Sequence, residues 1–78
     1  SSVPRLYVDA PLSAGQPVPL DEKQGKYLTR VMRLENGAPV RLFNGRDGEW
    51  QASLVQESAK KVWLDPQQRT REQVEGPD

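Results

Sequence analysis

The sequence predicts a mainly β domain with one helix, its strands curled into a small, partly closed barrel. Three observations carry that prediction. Alternating apolar residues mark three strands in the second half of the chain. One capped segment ahead of them has helical spacing. The 78 residues are room for one small domain, and a single helix cannot cover a sheet of that size.

The elements follow in order. "RLYV" (5–8) is a short β-prone run that Pro11 closes. "APLSAGQPVPL" (10–20) carries Pro11, Pro17, Pro19 and Gly15, and reads as a loop with a brief extended piece at Pro17–Leu20. Asp21 is a good N-cap, because its carboxylate can accept from the free N–H groups of the first turn. Gln24, three residues on, completes a capping-box pattern. Glu22 suits the positive end of the helix dipole, and Arg30 and Arg33 suit the negative end. Gly25 weakens the helix by up to about 1 kcal/mol relative to alanine. "ENG" (35–37) supplies a stop, with Gly37 free to turn left-handed.

The helix has two expected faces. Lys23, Lys26, Arg30 and Arg33, spaced three and four apart, fall in one stripe. Tyr27, Leu28, Val31 and Met32 occupy the roughly opposite face and are expected to be buried. Three strands follow. "PVRLF" (39–43) turns Val40 and Leu42 to one side. "EWQASLVQ" (49–56) does so with Trp50, Ala52 and Leu54, and "KKVWLD" (60–65) sets Val62 and Leu64 against Trp63. "NGRDG" (44–48) and "ESAK" (57–60) are the hairpin loops. From Pro66 the alternation fails and the chain turns polar. The expected division is a domain at 1–66 and a polar tail or linker at 67–78.

Composition narrows the chemistry. There is no cysteine, which excludes disulfides and thiolate metal sites and fits a reducing cytoplasm. There is no histidine, which removes imidazole metal sites and the usual general base near neutral pH. No apolar run is long enough to span a bilayer, so no membrane partner is expected. Ser53 and Ser58 have no base to activate them, and Asp21 is accounted for as a cap. The residues alone describe a binding module.

The net charge of zero hides an asymmetry. Residues 23–46 hold Lys23, Lys26, Arg30, Arg33, Arg41 and Arg46 against Glu35 alone, while both flanks are acidic. A basic middle between acidic ends favours an anionic partner at one place. The helix stripe is the leading candidate, since arginine forks and lysine charges position phosphates. A plain solvated face is the alternative. Arg46, at the tip of a hairpin, is a weaker candidate of the same kind. Trp50 and Trp63 are large enough to stack on bases. In so small a domain they are expected in the core instead, along with Tyr7, Tyr27 and Phe43.

"PRLYVD", "KYLTRVMRLENG" and "RLFNGRDGEWQASL", followed by a lysine pair and another strand, together resemble the N-terminal domain of the bacterial ribosomal RNA small-subunit methyltransferase E family. The resemblance runs from about Arg5 to Leu64. It implies a PUA-like β-barrel that grips RNA, attached in the family to a knotted SPOUT domain that this chain does not contain. Arg5 matches the family's early arginine. Arg30 and Arg33 match its "RVLR"-like pair, with Met32 where leucine is usual, and Asn44 and Gly45 match the hairpin start. Lys26 departs from the pattern, standing where histidine is common; it keeps a donor and a fixed charge.

The resemblance implies an RNA-binding domain of an S-adenosylmethionine-dependent 16S rRNA (uridine-N3) methyltransferase. The partner would be 16S rRNA in the small ribosomal subunit, contacted by Arg5, Lys23, Lys26, Arg30, Arg33 and Arg46. It further implies that the fragment holds no cofactor and no catalytic residue. S-adenosylmethionine and homodimerisation would belong to the missing domain. The rival expectation is a stand-alone barrel binding a protein or peptide through Trp50 or Trp63.

Overall fold

The computed structural model describes residues 3–58 and 60–71. Its strands are β1 (Arg5–Tyr7), β2 (Val18–Pro19), β3 (Pro39–Phe43), β4 (Glu49–Gln56) and β5 (Val62–Arg71). Helix α1 (Glu22–Lys26) lies between β2 and β3 and runs on into a π-helical turn, Tyr27–Val31. One curled sheet, half a barrel, contains all five strands in the order β1-β3-β4-β5-β2. The meander β3-β4-β5 is antiparallel. β1 adds to it in parallel, with Leu6 beside Leu42 and Tyr7 beside Phe43. β2 closes the other edge against Trp63 and Leu64.

The strand alternation places the core as the sequence predicts. Val40, Leu42, Ala52, Leu54 and Leu64 point to the concave side and are fully buried. Val8, Leu12, Val18 and Leu28 complete the cluster, and Trp50 and Val62 pack on its rim. Trp63 is half-buried.

β5 is longer than expected. The alternation that fades at Pro66 gives way to a strand that continues to Arg71, paired with β4 as far as Glu49. Pro66 is fully buried and faces Ala52 where the register slips between Gln51 and Ala52. A proline removes one ladder donor, and an irregularity is the place a sheet tolerates that loss. The Pro66 carbonyl accepts from Gly15 N (3.0 Å), which ties down the 10–17 loop. Residues 72–78 of the expected linker lie outside the described residues.

The helix also differs from expectation. Its start is as read: Asp21 Oδ1 accepts from Gln24 N (2.6 Å), and Gln24 Oε1 accepts from Asp21 N (3.3 Å). After Lys26 the turn widens. Met32 N donates to Tyr27 O, five residues back, and Leu34 N to Leu28 O, six back. Each following side chain then lags behind the 3.6-residue period, so the expected apolar face breaks up. Only Leu28 is buried, whereas Tyr27, Met32 and Val31 are exposed, Val31 at 68%. The stop comes at Arg33, which takes the left-handed position (φ 56°) expected of Gly37. Gly37 has φ 90° but serves the entry to β3, where its N–H meets Leu54 O (2.6 Å).

Gly25 is buried against β5, and a Cβ placed there would lie 3.8 Å from Val62 Cβ, an ordinary contact. Gly25→Ala is therefore expected to raise stability by about 0.5–1 kcal/mol, because it removes a helix-interior glycine without a clash. Urea denaturation followed by tryptophan emission measures this directly.

Candidate nucleic-acid interface

Asn44 organises the hairpin end of the sheet. It is buried, and its Oδ1 accepts from Arg46 N (3.0 Å) and Asp47 N (2.9 Å). Its Nδ2 donates to Ala10 O (2.8 Å) and to Asp47 Oδ2 (2.7 Å). Leu12 N also donates to Asp47 Oδ2 (3.0 Å), so one Asn–Asp pair joins the hairpin to the proline-rich loop. Gly45 (φ 82°) and Gly48 (φ 84°) supply the left-handed positions of the turn.

The Asn44 side-chain hydrogen bond, then the Leu12 N–H, hold the Asp47 carboxyl below the ordinary carboxylate range. A depressed folded value stabilises the fold above the unfolded value, and that stabilisation is lost as pH falls through the folded one. Thermal melts taken from neutral pH down to about pH 3 are expected to show this loss below about pH 4. Asp47→Asn is expected to be less stable than the parent near neutrality and to lose less on acidification.

The six basic residues singled out in the sequence do not share one place. Lys26 and Arg30 come together with Lys60, just before β5, around a cleft of about 280 Å³ that Asp21, Glu22, Gly25, Thr29 and Val62 also line. Lys23 and Arg33 lie outside that lining. Arg33 leaves the stripe because the chain turns left-handed there. Arg5 sits on β1, across the sheet edge, with Nε 2.9 Å from Glu49 Oε2. Arg46 stays at the exposed hairpin tip beside Asp47.

The stripe is also less free of acids than its spacing implies. Lys26 Nζ lies 2.9 Å from Glu22 Oε1, one turn back. That hydrogen bond first, with the charges of Lys26 and Arg30, lowers the Glu22 pKa. The pair is exposed to solvent, which screens it, so it contributes little. A phosphate competing for Lys26 therefore displaces little. Arg30 and Lys60 have no ion pair among the described residues. The Thr29 hydroxyl donates to Gly25 O (2.8 Å). Lys60 was missed in the sequence because 30 residues separate it from Arg30. Its only signal was the lysine pair opening the last strand.

A half-barrel sheet with one short helix and a cationic cleft at their junction defines a small PUA-type domain. The family described as the RNA methyltransferase PUA domain matches residues 20–67, and the chain belongs to it. Among the solved structures that resemble it are two described as methyltransferases. Ribosomal RNA small subunit methyltransferase E from Neisseria gonorrhoeae, bound to S-adenosyl methionine, is 25% identical with a TM-score of 0.70. The match covers 83% of this chain and 27% of that one. A Legionella pneumophila protein, described as a methyltransferase and solved with the cofactor SAM, is 28% identical with a TM-score of 0.74, covering 86% of this chain and 28% of that one. The chain thus spans little more than a quarter of either structure. No curated protein matches it. Among the described residues no helix is long and apolar enough to cross a membrane, and no cluster of three metal-ligating side chains occurs.

Proposed function

We propose that this chain is the RNA-gripping domain of an rRNA methyltransferase, with 16S rRNA as the RNA and uridine N3 as the methylated position. Membership of the RNA methyltransferase PUA domain family supports the RNA partner. The likeness to a ribosomal RNA small subunit methyltransferase E supports the ribosomal target. The single observation that carries the reading is the cleft where Lys26, Arg30 and Lys60 converge and outnumber Asp21 and Glu22. An excess of cations at one place suits a sugar–phosphate backbone better than an apolar peptide. Lys23, Arg33 and Arg46 extend the field around it, and Arg5 adds a contact from β1.

S-adenosylmethionine, the transfer step and homodimerisation are assigned to a domain beyond this chain, and the whole enzyme to the cytoplasm. Within this chain the residues position RNA: Lys26, Arg30 and Lys60 hold phosphates, and the Thr29 hydroxyl oxygen can accept from a ribose hydroxyl. Titration with a ribosomal RNA fragment at several salt concentrations tests the reading. Absence of salt-dependent binding would sink it.

A further inference from the structure

The convex face of the β1/β3 edge carries a cluster that the cleft does not use. Tyr7, expected in the core, is 54% exposed. The sheet alternation explains this: Leu6 and Leu42 take the inner face, so their neighbours Arg5, Tyr7, Arg41 and Phe43 take the outer one. The Tyr7 and Phe43 rings meet edge to face, with centroids 5.6 Å apart and an interplanar angle of 67°. The Arg5 guanidinium lies 5.0 Å over the Phe43 ring.

One carboxylate fixes two guanidiniums beside these rings. Glu49 Oε2 accepts from Arg5 Nε (2.9 Å), and Oε1 accepts from Arg41 Nη1 (3.3 Å). Both Nη groups of Arg5 and Nη2 of Arg41 have no hydrogen bond among the described residues. Two arginines against one acid leave the platform cationic. It therefore combines a half-exposed tyrosine ring, held against a second ring, with guanidinium donors that Glu49 does not use.

We infer that Tyr7 is a stacking site for one unpaired nucleobase of the bound RNA, with Arg5 and Arg41 taking the adjacent phosphate. The inference rests on the proposed RNA-binding role and adds the state of the RNA to it. A base within a duplex has no free face to offer the ring, whereas a splayed base does. The charge of the platform matches a nucleotide and opposes a cationic or purely apolar partner.

The test is fluorescence anisotropy of the 78-residue chain with labelled oligouridylate and with an RNA duplex of equal length. Tyr7→Leu is expected to weaken oligouridylate binding about fivefold or more, since one base–aromatic stack is lost. Tyr7→Phe, which keeps the ring, is expected to stay within about twofold. The salt slope is expected to be the same in both variants, because the number of phosphate contacts does not change. Tyr7 is exposed, and circular dichroism of Tyr7→Leu verifies that the fold is kept. Equal oligouridylate affinity of the parent and Tyr7→Leu would overturn the inference, leave the cleft standing, and point to a protein surface as the platform's occupant. Loss of duplex and oligouridylate binding in equal measure would also overturn it. No RNA binding by the parent would overturn the proposed function together with this inference.

Discussion

Leu28→Ala is expected to cost about 2–5 kcal/mol, the range for emptying a fully buried leucine site. Leu28 has no exposed surface and is the one large apolar side chain that the helical segment buries. A chain of this length is expected to be stable by only about 4–12 kcal/mol, at roughly 0.05–0.15 kcal/mol per residue. The single change therefore removes a large share of the stability. Gly25 cannot compensate, because it has no side chain to move into the space. Val31→Ala, one turn further on, is expected to change stability by less than about 0.5 kcal/mol, since that side chain is already in water. Urea midpoints of the two variants, read by tryptophan emission, check the contrast. Equal costs would mean that the helix packs by a stripe and not by Leu28 alone.

Removing the cleft's charges is expected to have the largest functional effect. Lys26→Ala, Arg30→Ala and Lys60→Ala combined remove three candidate phosphate contacts, two from the helical segment and one from the turn before β5. Each contact to single-stranded RNA contributes about 0.7 to the slope of log K against log salt, so the triple change is expected to flatten it by about two units. Affinity near physiological salt is expected to fall at least about tenfold. Stability is expected to change little, because the one ion pair lost, Lys26–Glu22, is exposed. A fold that survives with its RNA affinity gone separates the role of these charges from packing. Arg46→Ala serves as the comparison: its side chain is at the hairpin tip, and its removal is expected to lower the slope by no more than about one unit.

The meander was legible because a period of two is local. Val40, Leu42, Ala52, Leu54 and Leu64 announce their face within a few residues, and their burial follows. The capping box was legible for the same reason, since Asp21 and Gln24 are three apart. The helix's faces were not. Assigning Tyr27, Val31 and Met32 to the core assumed a constant 3.6-residue period, and nothing local in "YLTRV" signals a turn closed five residues back. Tyr7 misled for a related reason. A three-residue strand gives too little alternation to fix which side is inward; its register against Leu42 and Phe43 decides that. Pro66 hid the second half of β5, because its tolerance depends on a register irregularity in β4 that only the pairing reveals.

Function divides along the same line. Lys26 and Arg30 were visible as neighbours on one helix, whereas Lys60 joins them only where Gly25 meets Val62. Arg5 was visible only through its place in a resemblance. The structure adds why it is held: Glu49 orients it over Phe43. Of the motif matches, Asn44 proves to tie the hairpin to the loop before it at Ala10, and Gly45 to supply a left-handed turn position.

The most direct test of the central claim is the salt dependence of RNA binding by this chain, compared with that of the Lys26/Arg30/Lys60 triple variant. The cleft predicts a slope of about −2 or steeper for the parent with single-stranded RNA, and one flatter by about two units for the variant. Equal slopes in the two proteins, at equal folded fractions, would contradict the assignment of this cleft to RNA.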